Sequence, residues 1–264
     1  SEYLKKILLA PVYEAAVNSD FDLMNRLSGE LGNQIYLKRE DQQPVKSFKL
    51  RGAYNRICQL SQAQLEKGVI AASAGNHAQG MAYAAKKKQI HATIVMPETT
   101  PDIKVDAVRR FGGEWVTIVQ HGTSFDTASQ FAQQLCIDKG LTYIPPFDEP
   151  DVIAGQGTIA REMLEQQPDL DTLFIAVGGG GLAAGIAVYV KQLKPDVKII
   201  AVESAESACL AAALEAGEPV MLPTVGIFAD GVAVKIMGQE TFRLCQQYVD
   251  EVMTVSNDEI CAAI

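Results

Sequence analysis

Long apolar stretches, an excess of basic side chains and paired cysteines are all missing from this sequence of 264 residues. No apolar run approaches the roughly 18 residues of a membrane span, and the first residues lack the apolar length and the cleavage pattern of a secretory signal. We therefore expect a cytoplasmic protein without a membrane partner. The 23 basic and 32 acidic side chains give a net charge of −9, which offers no positive surface to a nucleic acid.

Cysteine and histidine are also scarce, and their spacing excludes two further classes. The five cysteines are scattered, odd in number and never form C-x-x-C, which argues against a disulfide framework and against a zinc site. The three histidines show no metal-ligand spacing either. We expect reduced, mostly buried thiols and no metal.

What the sequence does contain is an alternation of apolar β-rich runs with stretches of helical period, which is typical of the α/β class with mainly parallel sheets. The length favours two modest domains. Strands are predicted at Gln34–Lys38, Val69–Ser73, Ala92–Met96, Trp115–Val119, Leu173–Val177, Val197–Val202 and Val249–Val255. Helices are predicted at Ser47–Leu60, Asn76–Lys88, Thr100–Phe111, Ser124–Lys139, Gly155–Gln166, Leu182–Leu193, Ser207–Ala216 and Gly238–Tyr248.

A first segment that could carry a reactive group lies at the start of a predicted helix. Ser47 fits the N-cap, which places Lys49 in the first turn. The positive end of the helix dipole disfavours an ammonium there and lowers the lysine pKa, and a neutral lysine is what Schiff-base chemistry needs. The alternative is a solvated basic cluster of Lys46, Lys49 and Arg51.

A second segment, Ser73–Gly80, joins a predicted strand to a predicted helix. Its small residues let the backbone approach a ligand, and the amides of a helix start attract a carboxylate or a phosphate. The alternative is an ordinary turn capped by Asn76, with His77 as a packing residue.

The third segment consists of four successive glycines, Gly178, Gly179, Gly180 and Gly181, between a strand and a helix. Backbone amides in such a loop can cradle a phosphate. The spacing Gly178-x-Gly180-x-x-Ala183 also satisfies a relaxed dinucleotide fingerprint, in which Glu203 would hold a ribose hydroxyl. A nicotinamide or flavin oxidoreductase is therefore the alternative.

One cofactor would use all three segments. A small phosphorylated aldehyde needs a lysine for its carbonyl and a glycine loop for its phosphate, and an amino-acid substrate adds an anion site for its carboxylate. The dinucleotide interpretation leaves Lys49 and the Ser73–Gly80 loop without a task. The residues therefore favour a pyridoxal-phosphate enzyme that acts on an amino acid.

Two stretches, Phe228–Lys235 and Asp258–Ile264, look closer to biosynthetic threonine deaminases than to the short catabolic ones. The order and separation of five further segments strongly resemble the fold-type II pyridoxal-phosphate family, and specifically threonine deaminase. These segments read SFKLRGA, SAGNHAQG, PPFD, IAGQGT and VGGGGLAAG. The resemblance extends from Ile35 to Ile264. It implies two α/β domains, a large one of residues 1–41 plus 143–264 and a small one of residues 42–142, with the cofactor in the cleft between them, in a homo-oligomer.

The same resemblance implies a role for each matching position. Lys49 would form the Schiff base and Phe48 would pack against the pyridine ring, while Asn76 would bind the 3-hydroxyl of the cofactor. The phosphate would be held by Gly178 to Gly181 with Leu182, and the substrate carboxylate by Ser73, Gly75, Asn76 and His77. The implied reaction converts L-threonine to 2-oxobutanoate and ammonia, the first step toward isoleucine, and L-serine to pyruvate more slowly.

Two departures from the family pattern carry expectations of their own. Related racemases have a serine where this sequence has Ala74, so elimination without racemisation is expected; a serine dehydratase or racemase relative is the remaining alternative. The sequence also lacks the Glu-Pro-Ser-Gly-Ala-like and Ser-Gly-Ala-Asn-like segments that follow in the family. A truncated catalytic domain is therefore expected, and residues 1–264 alone are expected to bind pyridoxal phosphate weakly and to show little or no threonine turnover and no inhibition by isoleucine.

Overall fold

The computed structural model describes residues 2–264, and the elements follow the predicted alternation. The strands are β1 (Phe21–Leu23), β2 (Tyr36–Lys38), β3 (Val69–Ala72), β4 (Ala92–Met96), β5 (Val116–Gln120), β6 (Thr142–Tyr143), β7 (Thr172–Ala176), β8 (Lys198–Ser204) and β9 (Glu251–Val255). The helices are α1 (Glu2–Leu9), α2 (Asn25–Leu31), α3 (Lys49–Cys58), α4 (Gln62–Lys67), α5 (Asn76–Lys88), α6 (Asp102–Gly112), α7 (Phe125–Lys139), α8 (Pro150–Gln166), α9 (Gly181–Leu193), α10 (Cys209–Ala216), α11 (Gln239–Tyr248) and α12 (Asn257–Ala263).

Two parallel sheets form the framework. The first has the order β5-β4-β3-β6, and the second has the order β7-β8-β9. All strand pairs within them are parallel, with β3 buried along its whole length beside β4 and β6. An apolar strand without alternation is typical of a parallel sheet covered by helices on both faces. β1 and β2 form a separate antiparallel pair.

All seven predicted strands and all eight predicted helices are present, and nearly all of their bounds agree within two residues. The exception is α8, which begins at Pro150 rather than at Gly155. Its N-cap is Glu149, whose carboxylate accepts the amides of Asp151 and Val152 at 2.8 Å. Proline in the first helical turn needs no hydrogen bond, so the helix starts there. Short elements without a strong period, such as α1, α2, α4, α12, β1 and β6, are absent from the prediction.

The structure has two large apolar cores, which adjoin each other where α3 packs against α8. One contains α1, α8, α9 and the buried face of the second sheet, and the other contains α3, α5, β3, β4 and residues 10–16. The opposite face of the second sheet leaves Phe174 66% exposed and Met253 40% exposed. Among residues 2–264, no helix is both long and apolar enough to span a membrane.

Candidate active site

The first segment places a reactive amine in the protein interior. α3 begins at Lys49, and its N-cap position is Phe48 rather than the predicted Ser47. Ser47 lies one residue before the N-cap, and its hydroxyl oxygen accepts the Lys49 amide at 3.3 Å. Lys49 Nζ donates to the carbonyl oxygen of Pro146 at 2.8 Å. It lies 5.4 Å and 6.0 Å from the ring centroids of Phe48 and Phe147.

The acidity of this lysine follows from its surroundings. Desolvation lowers the pKa of Lys49 to about 8, because the charged ammonium loses water among two aromatic rings. The lowered pKa agrees with the prediction, and the cause that the structure shows is burial of the amine. A substantial fraction of the amine is therefore neutral near physiological pH.

Its neighbour Arg51 shows that the basic residues of this segment are not a solvated cluster. Arg51 is fully buried and donates to both Glu40 and Glu162, with 2.8 Å to each Glu40 oxygen. Lys38 Nζ lies 2.7 Å from the second carboxylate, that of Glu162. This buried network joins α3 to α8 and to β2. The alternative interpretation is wrong for Arg51, and of the three basic residues only Lys46 is exposed.

In the second segment, Ser73 rather than Asn76 caps the helix. The Ser73 hydroxyl oxygen accepts the amides of Gly75 and Ala78, each at 3.2 Å. Asn76 is the first residue of α5 and its side chain is exposed. The first amides of a helix have no acceptor within the helix, and they carry the positive end of its dipole. The loop can therefore offer the remaining first-turn amides, those of Asn76 and His77, and the Ser73 hydroxyl hydrogen to an anion.

His77 takes part in this loop in a restricted way. Its side chain is buried, and Nε2 lies 2.9 Å from the carbonyl oxygen of Ile144. Burial and the nearby charge of Lys49 lower the pKa of His77 to about 3. A neutral ring that donates from Nε2 has no hydrogen on Nδ1, so only the backbone amide of His77 is left to donate to a carboxylate.

The glycine loop is closely packed on both sides. Gly180 has φ +87° and caps α9. A Cβ at Gly179 would lie 2.2 Å from the Phe147 ring, and one at Gly178 would lie 3.0 Å from the Cα of Val232. Side chains are excluded by packing and by the backbone conformation, which accounts for successive glycines. The amides at the start of α9 remain available to a phosphate.

One short segment after β6 brings the three motifs together. The carbonyl of Ile144 accepts from His77, the carbonyl of Pro146 accepts from Lys49, and the ring of Phe147 packs against Gly179. Sequence reasoning gave these connecting residues no individual role, and the only signal was the PPFD string. The starts of α3, α5 and α9 therefore converge on one place.

Glycines within the helices keep these helix starts in register. A Cβ at Gly80 of α5 would lie 3.0 Å from the amide nitrogen of Leu50 in α3. A Cβ at Gly155 of α8 would lie 2.6 Å from the Cα of Gly52 in α3, and one at Gly185 of α9 would lie 2.4 Å from a carbonyl oxygen of α8. Backbone contacts this close run from α5 through α3 and α8 to α9. They fix the distance between the loops.

The Glu203 carboxylate binds backbone amides of this chain, which removes the basis of the dinucleotide alternative. The side chain is fully buried, and its two carboxylate oxygens accept the amides of Leu210 and Ala211 at 2.8 Å and 2.9 Å. It therefore anchors the start of α10 and has no exposed oxygen for a ribose hydroxyl. The interpretation of Glu203 as a ribose ligand is wrong. Among the described residues, no group of three His, Cys, Asp or Glu side chains is placed to hold a metal ion.

Comparison with known proteins identifies the family of this site. Residues 20–264 match the family described as "Pyridoxal-phosphate dependent enzyme", so the chain belongs to the pyridoxal-phosphate-dependent enzymes. The predicted family, cofactor and α/β fold class are thereby confirmed.

Within this family, the chain is similar to threonine dehydratases and, at lower identity, to serine racemases. The chain is 58% identical over 264 residues to "L-threonine dehydratase biosynthetic IlvA" of Pasteurella multocida, covering 100% of this chain and 51% of that protein. It spans about half the length of the curated relatives it matches. The structure of the processed form of threonine deaminase isoform 2 from Solanum lycopersicum superposes with a TM-score of 0.97 at 51% identity, covering 100% of this chain and 76% of that one. Maize serine racemase gives a TM-score of 0.93 at 30% identity, covering 99% and 78%.

Proposed function

We propose that this chain carries out the dehydration and deamination of L-threonine to 2-oxobutanoate and ammonia, and of L-serine to pyruvate more slowly. The observation that carries the proposal is the convergence of the buried Lys49 amine with the glycine loop and the Ser73 loop through residues 144–147. The names of its relatives at 58% identity, biosynthetic L-threonine dehydratases, support the choice of substrate. The product would then enter isoleucine formation.

The residues fit pyridoxal phosphate as the family cofactor. The glycine loop leaves no room for a Cβ at Gly179 and presents the amides of a helix start, as a phosphate site requires. We assign the phosphate to Gly178, Gly179, Gly180, Gly181 and Leu182, the aldehyde to Lys49, the ring to Phe48 and the 3-hydroxyl to Asn76. We assign the substrate carboxylate to Ser73, Gly75, Asn76 and His77.

The mechanism then follows from what each side chain can do. When bound, the cofactor supplies an aldehyde that condenses with amines and a ring that withdraws electrons from the α-carbon of the substrate. Lys49 Nζ, with its pKa of about 8, is suited both to bond the aldehyde and to accept the α-proton near neutral pH. Phe48 and Phe147 exclude water around this amine, and the carbonyl of Pro146 orients it. The Ser73 loop would hold the substrate carboxylate beside Lys49.

The function is tested by adding pyridoxal phosphate and L-threonine to purified protein in which this chain is followed by the C-terminal segments described above for the family, and measuring 2-oxobutanoate and ammonia. We expect both products in equal amounts, a slower formation of pyruvate from L-serine, and no product from Lys49→Ala. Cofactor binding without any keto acid from either substrate would contradict the proposed reaction. Saturable binding of NAD would revive the oxidoreductase alternative.

We further propose that residues 42–142 form the smaller domain and residues 1–41 plus 143–264 the larger one. The composition of the two cores supports this division, because most residues of the second core fall between positions 45 and 108. A homo-oligomer, dimeric or tetrameric, in the cytoplasm completes the proposal. Sedimentation of the purified protein tests the oligomeric state.

A further inference from the structure

The carbonyl groups of the glycine loop are held by buried side chains of two helices that carry no predicted site residue. The hydroxyl of Thr241, in α11, donates to the carbonyl oxygen of Gly179 at 2.8 Å. The thiol of Cys209, in α10, lies 3.3 Å from the carbonyl oxygen of Gly178 and is also within hydrogen-bond reach of the Glu203 carboxylate. Cys245 Sγ lies 4.0 Å from the next carbonyl oxygen of the loop. The carbonyls of Gly178 and Gly179 therefore point toward α10 and α11, whereas the carbonyl of Gly180 accepts the amide of Ala184 within α9 at 2.8 Å.

The direction of these carbonyls determines the direction of the amides. In a trans peptide the N–H of the next residue points opposite to the C=O. When the carbonyls of Gly178 and Gly179 turn toward α10 and α11, the amides of Gly179 and Gly180 turn away from those helices. These amides then join the first amides of α9 as a set of donors, which is the arrangement that binds anions.

The backbone of Thr241 is itself held by Asp148, the residue that follows the connecting segment 144–147. The carboxylate of Asp148 accepts the amides of Gln239, Glu240 and Thr241 at 3.0 Å, 3.0 Å and 3.1 Å. Asp148 follows Phe147, whose ring packs against Gly179. The start of α11 and the glycine loop are therefore held by two adjacent side chains, and Thr241 is fully buried between them.

We propose that Thr241, assisted by Cys209, is a positioning residue for the cofactor phosphate, which it orients through the loop amides without touching the anion. The inference rests on the proposed function, because it assumes that the phosphate of pyridoxal phosphate occupies the glycine loop. Burial raises the pKa of Cys209 and that of Cys245 to about 12, so both thiols stay protonated donors at neutral pH.

The test measures cofactor affinity rather than turnover. Thr241→Val keeps the side-chain shape and removes the donor, whereas Thr241→Ser keeps the hydroxyl. The control for Cys209→Ala is Cys136→Ala. Cys136 lies in α7, and its thiol also donates to a carbonyl oxygen, that of Leu141 at 3.1 Å, but it has no contact with the glycine loop. Each cofactor-free variant is titrated with pyridoxal phosphate by absorbance, and its thermal midpoint is recorded with and without cofactor.

We expect Thr241→Val to weaken pyridoxal-phosphate binding about five- to tenfold, as the loss of one buried hydrogen bond implies, and to reduce the thermal shift that the cofactor produces. Thr241→Ser should restore affinity to within about twofold, Cys209→Ala should weaken it by a smaller factor, and Cys136→Ala should leave it unchanged. Wild-type affinity in Thr241→Val, or equal weakening in Thr241→Ser or in Cys136→Ala, would overturn the inference. Failure of the unsubstituted chain to bind the cofactor would instead overturn the proposed function.

Discussion

Lys49 provides the sharpest test of the site, because its reactivity follows from a single structural property. Desolvation brings its pKa from the ordinary 10.5 to about 8. At pH 7 about a tenth of such an amine is neutral, compared with about 0.03% of an ordinary lysine, so roughly 300 times more nucleophile is present. Because deprotonation produces the nucleophile, capture of an aldehyde should rise as the pH increases through 8 and level off above it.

The assay follows this pH dependence directly. Pyridoxal phosphate is added to the protein at pH values from about 6 to about 11.5, which brackets both lysine pKa values, the adduct is reduced with borohydride, and the labelled peptide is identified by mass. We expect the label on Lys49, with a midpoint near pH 8. Lys46 is exposed on the same segment and serves as an internal comparison.

A matched variant separates reactivity from local folding. Lys49→Arg keeps a cation beside Phe48 and Phe147 but cannot form the adduct, so labelling should disappear while the thermal midpoint of the cofactor-free protein changes little. Labelling that falls mainly on Lys46, or a midpoint near the ordinary lysine pKa of 10.5, would refute the argument that burial activates Lys49.

Three further predictions concern packing, charge and stereochemistry. Gly185→Ala places a Cβ 2.4 Å from a carbonyl of α8, so denaturant unfolding should show a loss of about 1–3 kcal/mol. Gly29→Ala in α2, with open space around it, should be neutral or stabilising by up to about 1 kcal/mol. Glu162→Gln removes the carboxylate shared by Arg51 and Lys38, while Arg51 keeps its pairing with Glu40, so chemical unfolding should show about 1–3 kcal/mol lost; an unchanged midpoint would mean that Glu162 contributes nothing to the network. Because Ala74 has no group that exchanges a proton, chiral chromatography should find no D-serine formed from L-serine at a rate comparable to that of pyruvate.

Much of the framework could be predicted because local patterns specify it. The alternation of apolar strands with helical stretches predicts the parallel sheets, and both Ala92–Met96 and Asn76–Lys88 occur with the predicted bounds. The three chemical segments each end at a helix start, and two of them directly follow a strand. Their small residues and glycines already indicate anion binding, since a backbone amide needs no particular neighbour to be a donor.

The tertiary structure decided how each of these groups can act, because desolvation and hydrogen-bond partners come from residues distant in sequence. Lys49 is desolvated beside rings that include Phe147 and is held by the carbonyl of Pro146, while the buried side chain of His77 is held by the carbonyl of Ile144. Glu203 fitted a ribose site by spacing alone, yet its carboxylate binds backbone amides of α10. Sequence therefore determined which chemical groups are available and at which helix starts, while packing between distant segments determined which of them are dry, neutral and free to bind a ligand.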